Sequence, residues 1–201
     1  MKGIQNPIKN YEYIVAIGTS TGGPKALTKV LSGLDKTLSA TYVVVQHMPA
    51  GFTKSLAERL NTLSDLTVKE GESDERLQQG TVYIAPGGKQ LKLRNVNQLE
   101  LILTDEEAYK GHKPSVNVML NSLQILPPHQ KLIVVIMTGM GSDGLEGVQL
   151  LKKDKNMTVI AQDETTSTVF GMPKAIVQAE LANYIVPVDE IAKTIKTIMG
   201  E

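Results

Sequence analysis

The 201-residue sequence contains no cysteine, which excludes disulfides, thiolate metal sites and a cysteine nucleophile and leaves the chain indifferent to redox conditions. It carries no charge imbalance, since 21 Lys and Arg cancel 21 Asp and Glu. With no basic block and no acidic tail, nothing marks a nucleic-acid groove or a polybasic membrane anchor, so any partner has to be selected by local chemistry. Long apolar runs are missing too: none approaches the roughly 20 residues of a membrane span, and Met1 to Asn10 lacks the apolar core of a signal peptide. A soluble, cytoplasmic protein is the expectation. There is no internal repeat, low-complexity stretch or long linker, the Pro127-Pro128 pair reading as a stop after a helix. What is present is 41% hydrophobic content with charges along the whole length, enough for one sizeable domain and too little for a second.

Short runs rich in Val and Ile, at Tyr13 to Ile17, Tyr42 to Val45, Leu132 to Met137, Thr158 to Ala161 and Tyr184 to Val186, read as buried strands. Between them lie helical patterns at Pro24 to Leu34, Phe52 to Leu63, Pro114 to Leu126, Leu145 to Lys153, Met172 to Glu180 and Asp189 to Met199. This alternation predicts an α/β fold: a doubly wound, mostly parallel sheet with helices on both faces, three layers in all. Thr81 to Thr104 departs from it, with short strands punctuated by Pro86-Gly87-Gly88 and Asn95-Val96-Asn97, and predicts a small antiparallel extension inserted into the main sheet.

In an open parallel sheet, ligands bind beyond the carboxyl ends of the strands. Three strand ends stand out. After the first comes Gly18-Thr19-Ser20-Thr21-Gly22-Gly23-Pro24, a G-x-S-x-G elbow leading into a helix that can expose a serine hydroxyl near backbone N–H groups. The same residues also fit a plain glycine turn or a phosphate cradle, although neither nucleotide-loop spacing is met. After the second comes Gln46-His47-Met48-Pro49, where His47 is either a hydrogen-bonded loop residue or a general base within reach of Ser20. After the strand ending at Met137 comes Thr138-Gly139-Met140-Gly141-Ser142-Asp143-Gly144, where Asp143 is either the N-cap of the helix that follows or the acid that orients an imidazole. His112 and His129 lie in polar surroundings and are expected to be solvent-exposed. Nucleophile, base and acid at three strand ends would meet at one edge of one sheet.

Those loops, together with Tyr83-Ile84-Ala85-Pro86-Gly87, His112-Lys113-Pro114-Ser115-Val116 and Val169-Phe170-Gly171-Met172-Pro173, closely resemble the catalytic domain of the chemotaxis protein-glutamate methylesterases, the CheB family. The likeness runs from about Tyr13 to about Ile198. It implies a catalytic serine, histidine and aspartate at Ser20, His47 and Asp143, with oxyanion donors near Thr21 and Met140. Substrate-cleft candidates are Thr19, Gly22, Gly23, Met48, Pro49, Gly139 and Gly141. The implied substrates are γ-glutamyl methyl esters on chemoreceptor cytoplasmic domains, and specific glutamines there for deamidation, with no metal or organic cofactor. The chain order Ser, His, Asp differs from the Ser, Asp/Glu, His order of ordinary α/β-hydrolases. Thr19, Ser142 and Asn117 depart from the usual family pattern, and Asn117 is expected to bear on substrate-side contacts. The family implies an N-terminal receiver domain, for which the residues before the first strand leave no room. Residues 1–12 read as a tail and 13–201 as a single catalytic domain, either excised from a longer parent or standing alone. Two rivals remain: an esterase acting on another substrate, and a catalytically idle binding module of the same fold.

Overall fold

Residues Tyr13–Thr19 form a strand, β1, with every residue buried. Its side chains divide by the two-residue period of a strand. Tyr13, Val15 and Ile17 enter one apolar core, and Ile14 and Ala16 enter another. A strand with two buried faces needs helices on both sides, and that requirement sets the layering. In this computed structural model, which describes residues 11–96 and 98–201, the chain continues through α1 (Gly23–Ser32), β2 (Ala40–Gln46), α2 (Phe52–Leu63), β3 (Thr67–Glu70), β4 (Thr81–Ile84), β5 (Gln90–Asn95) and β6 (Leu99–Thr104). There follow α3 (Val116–Ser122), which ends in a 3₁₀ turn, then β7 (Lys131–Ile136), α4 (Leu145–Asp154), β8 (Met157–Gln162), α5 (Gly171–Gln178), β9 (Tyr184–Val186) and α6 (Val188–Met199).

Seven strands form one sheet in the order β3-β4-β2-β1-β7-β8-β9, and every neighbouring pair is parallel. Helices α1, α2 and α6 pack on the face that carries Val15 and Ile17. Helices α3, α4 and α5 and the β5–β6 hairpin cover the opposite face. The chain winds outward from β1 to β2 on one side and from β7 to β8 on the other. The topological switch therefore lies between β1 and β7, where a doubly wound sheet opens its ligand crevice.

The predicted antiparallel extension exists but is smaller than its predicted span. Strand β4 joins the main sheet between β3 and β2, because Thr81–Ile84 is buried throughout. Only β5 and β6 pair antiparallel, as a separate two-stranded sheet. The edge strand β3 was not anticipated, since Val68 is its only buried residue and the four-residue run carries no apolar alternation. Tyr11 and Glu12, assigned to a tail, dock against the domain: Tyr11 packs on the second core, and the Glu12 N–H donates to Ser39 O at 2.8 Å. The signal-peptide question and the turn residue Asn97 lie outside the described residues. Among those described, no helix is long and apolar enough to cross a membrane.

Helices α3 and α4 cap one another. Asp143, just before α4, does not bond to its own helix, whose N-cap Gly144 has no side-chain cap. It accepts instead from the backbone N–H groups of Val116 and Asn117 at the start of α3, at 2.7 and 2.9 Å. In return, Asn117 Oδ1 accepts from the N–H groups of Gly144 and Gly147 at the start of α4, at 3.0 and 2.8 Å. Asn117 is buried, and this exchange is what its side chain serves. Asn117→Ala would strand two buried donors, and we expect a loss of about 1–3 kcal/mol in urea unfolding. A midpoint equal to wild type would show that water or backbone relaxation satisfies them.

Candidate active site

The parallel register of β1 and β2 pairs Thr19 with Gln46, so Ser20 and His47 each stand one residue past the same rung. The His47 N–H donates to Thr19 O at 3.0 Å, and Gln46 Nε2 donates to Ser20 O at 2.9 Å. On the other side, the Ser20 N–H donates to Thr138 O at 2.9 Å, fastening the elbow to the end of β7. Gly22 turns the elbow into α1 with φ of 85°, a left-handed conformation that glycine adopts without strain. At Gly139 a Cβ would lie 2.7 Å from Ser20 Cβ and 2.4 Å from Met172 Sδ, so only glycine lets β7's end approach the serine. Ser20 and His47 are thus placed side by side by backbone bonding. No hydrogen bond joins their side chains among the described residues, a contact that in enzymes without substrate is often long.

Asp143 supplies the strongest contact of the site. Its Oδ2 lies 2.7 Å from His47 Nε2, and its Oδ1 accepts from the Ser115 hydroxyl at 2.9 Å. With the two N–H groups of α3, that makes four donors around one carboxylate whose side chain is 3% exposed. Burial alone would raise its pKa. The bond from His47, the backbone N–H groups of Asn117 and Val116 and the charge of His47 outweigh burial and hold the carboxyl below its ordinary range. Because Nε2 faces this carboxylate, Nδ1 is the ring nitrogen left without that partner. The alternative reading of Asp143 as N-cap of the helix that follows does not hold: Asp143 satisfies a helix start, but that of α3, 26 residues upstream by the Asn117 contact.

The N–H groups of Thr21 and Met140 make no hydrogen bond among the described residues. Both residues are exposed, and Thr21 precedes the N-terminus of α1. Met48 and Pro49 line a depression beside His47, and Gly141 lines one beside Asp143. Gly22 lines a separate depression with Thr138 and Thr168. Of the cleft candidates, Thr19, Gly23 and Gly139 are buried. Thr19 Oγ1 donates to Thr138 O at 2.8 Å, Gly23 packs on the Gln46 amide, and the Gly139 N–H donates to Val169 O at 2.9 Å. They brace the crevice from below.

His129 is exposed as expected, but His112 is not. It is half-buried and stacks on His47, with ring centroids 4.1 Å apart and planes inclined by 28°. Sequence reasoning also missed Ser115, although the His112-Lys113-Pro114-Ser115-Val116 run was a signal for both. His47, His112 and Asp143 bring potential ligand atoms within 4.8 Å of one another. Two nearly parallel rings, however, direct their in-plane lone pairs side by side rather than at one point, which is a stack and not a preformed tetrahedral metal site.

Comparison with known proteins agrees with this geometry. The family model described as CheB methylesterase matches residues 15–195. The chain is similar to the protein-glutamate methylesterase/protein-glutamine glutaminase of Bacillus licheniformis, 54% identical over 188 residues covering 92% of this chain and 52% of that protein. Its likeness to the protein of the same name from Bacillus subtilis is 49% over 183 residues, covering 90% and 51%. The chain therefore spans about half the length of the curated relatives it matches. Among solved structures, the Thermotoga maritima CheB methylesterase catalytic domain superposes with a TM-score of 0.87 at 42% identity, covering 92% of this chain and 97% of that one.

The depressed Asp143 pKa has a consequence for stability. A carboxylate whose folded pKa lies below its unfolded value contributes stability above the unfolded value, about 3.9, and loses it as pH falls through the folded pKa. Asp143→Asn lacks this ionisation. The difference in melting temperature between wild type and Asp143→Asn should therefore be present above roughly pH 5 and should narrow as pH drops below about 4. A gap independent of pH would show that the carboxylate's charge is not what α3 and His47 use.

Proposed function

Because the chain belongs to the CheB methylesterase family, we propose that it is a serine hydrolase that removes methyl groups from γ-glutamyl methyl esters on chemoreceptor cytoplasmic domains and deamidates specific glutamines there. The setting is cytoplasmic, where those receptor segments lie. The observation that carries the reading is the 2.7 Å contact between His47 Nε2 and the buried Asp143 carboxylate, set beside a serine on a G-x-S-x-G elbow.

In this mechanism Ser20 is the nucleophile, His47 the base and Asp143 the orienting acid. Nδ1 of His47 accepts the Ser20 proton as Oγ attacks the ester carbonyl, and the imidazolium that forms stays paired through Nε2–H with Asp143. The tetrahedral oxyanion is met by the N–H groups of Thr21 and Met140. Methanol leaves with the proton held on His47, and a water activated by the same ring then releases the glutamate. A glutamine substrate follows the same steps with ammonia as the leaving group. The open depressions beside His47 and Asp143 suit a side chain presented on a protein surface better than a small molecule that must be enclosed.

The direct test is release of labelled methanol from receptor membranes carrying methyl-labelled glutamates. Wild type should release it, and Ser20→Ala and His47→Gln should each be slower by at least about a thousandfold while keeping the wild-type circular dichroism spectrum. Turnover by Ser20→Ala within an order of magnitude of wild type would remove Ser20 from its role. Hydrolysis of aryl esters with none of receptor esters would point to a different substrate.

A further inference from the structure

We propose that His112 is a positioning residue for the general base, holding the His47 ring in one orientation by stacking. This deepens the hydrolase reading above and depends on it. Among the described residues, the His47 side chain makes one hydrogen bond, from Nε2 to Asp143. A single bond fixes one atom of a ring but not its rotation about the line through that atom. A second ring with its centroid 4.1 Å away, inclined by 28°, removes that freedom and leaves Nδ1 aimed in one direction.

His112 is itself held for this purpose. It closes a two-residue turn in which the Tyr109 and His112 N–H groups each donate to the other residue's carbonyl at 3.0 Å. The central residues Lys110 and Gly111 have φ of 49° and 85°, the left-handed pair that twists a tight hairpin. Gln90 on β5 donates through Nε2 to His112 O at 3.0 Å and accepts through Oε1 from the Ser115 N–H at 2.9 Å. One buried amide thus ties the turn to the residue that also bonds Asp143. Tyr109 Oη donates to Glu146 at 2.7 Å, pinning the turn to α4.

The charged groups around the pair agree with a neutral His112. Burial first, then the charge of His47, lower its pKa, against a smaller opposing pull from Asp143. Of the neighbouring charges, Lys110 is paired with Glu146, and Lys113 Nζ donates to Asp105 O at 2.9 Å. A neutral ring is the form that can stack on an imidazolium without repelling it.

The test uses the whole chain and an aryl phosphonate that forms a covalent bond to an activated serine, so it is independent of the physiological substrate. In His112→Ala the saturating rate of Ser20 modification should fall by about tenfold to a hundredfold, with little change in the half-saturating concentration. His112→Phe, which keeps a flat ring and cannot titrate or chelate, should return to within about threefold of wild type. Thermal melts of both variants check the fold. Modification of His112→Ala at the wild-type rate would overturn the proposal, as would a Phe variant as slow as the Ala variant, which would assign His112 a polar role instead. No modification of Ser20 in the wild type would overturn the hydrolase reading, and this proposal with it.

Discussion

The site depends on one carboxylate with four donors. Asp143 joins His47, the Ser115 hydroxyl and the two leading N–H groups of α3. These partners come from the end of β2 and from the consecutive residues Ser115 to Asn117 at the start of α3, so one ionised group, itself in the loop before α4, joins three segments far apart in sequence. The charge is stable in its buried place because hydrogen bonds and the start of a helix replace the water it lost. Removing it would leave His47 without its carboxylate partner and the N–H groups of Val116 and Asn117 without their acceptor. Structure and the proposed chemistry therefore share an interaction here, and the carboxylate paired with His47 cannot drift without a helix moving too.

A second constraint is the sheet. Parallel pairing places the carboxyl ends of β1, β2 and β7 in one row, and the winding reverses between β1 and β7. Crevice, serine elbow, histidine and aspartate loop all follow from that topology. The buried residues Thr19, Gly23 and Gly139 lie beneath this row and have structural work: they bind strand ends to each other and allow the backbone of β7 to approach Ser20 closely. The polar and glycine-rich character that made them resemble cleft residues reflects close backbone packing.

What the sequence made legible was whatever is local. The runs that became β1, β2, β7, β8 and β9 are apolar and β-branched, and helix α2 was read to its residue, Phe52–Leu63. Ser20, His47 and Asp143 could be chosen because each follows such a strand. Contacts between distant segments were not legible. Nothing near Asp143 shows that it caps α3 rather than α4, and a histidine in a polar loop shows no sign that a two-residue turn folds it over another imidazole. Likewise β3 has too little apolar pattern to be seen, and it forms because β4 offers it a free edge. The resemblance carried Ser115 in a quoted motif, but its bond to Asp143 is a property of the fold alone.

The account stands on the tautomer of His47. If Asp143 orients the ring through Nε2, that nitrogen carries the proton in the resting enzyme and Nδ1 has the free lone pair that receives the Ser20 proton. Nitrogen-15 NMR of histidine-labelled protein, with His47 assigned by comparison with His47→Gln, reads this directly at a pH where the ring is neutral. The predicted result is a protonated Nε2 and an unprotonated Nδ1, with that distribution disturbed in Asp143→Asn. A His47 protonated on Nδ1, or one averaging freely between the two tautomers and unaffected by Asp143→Asn, would contradict it.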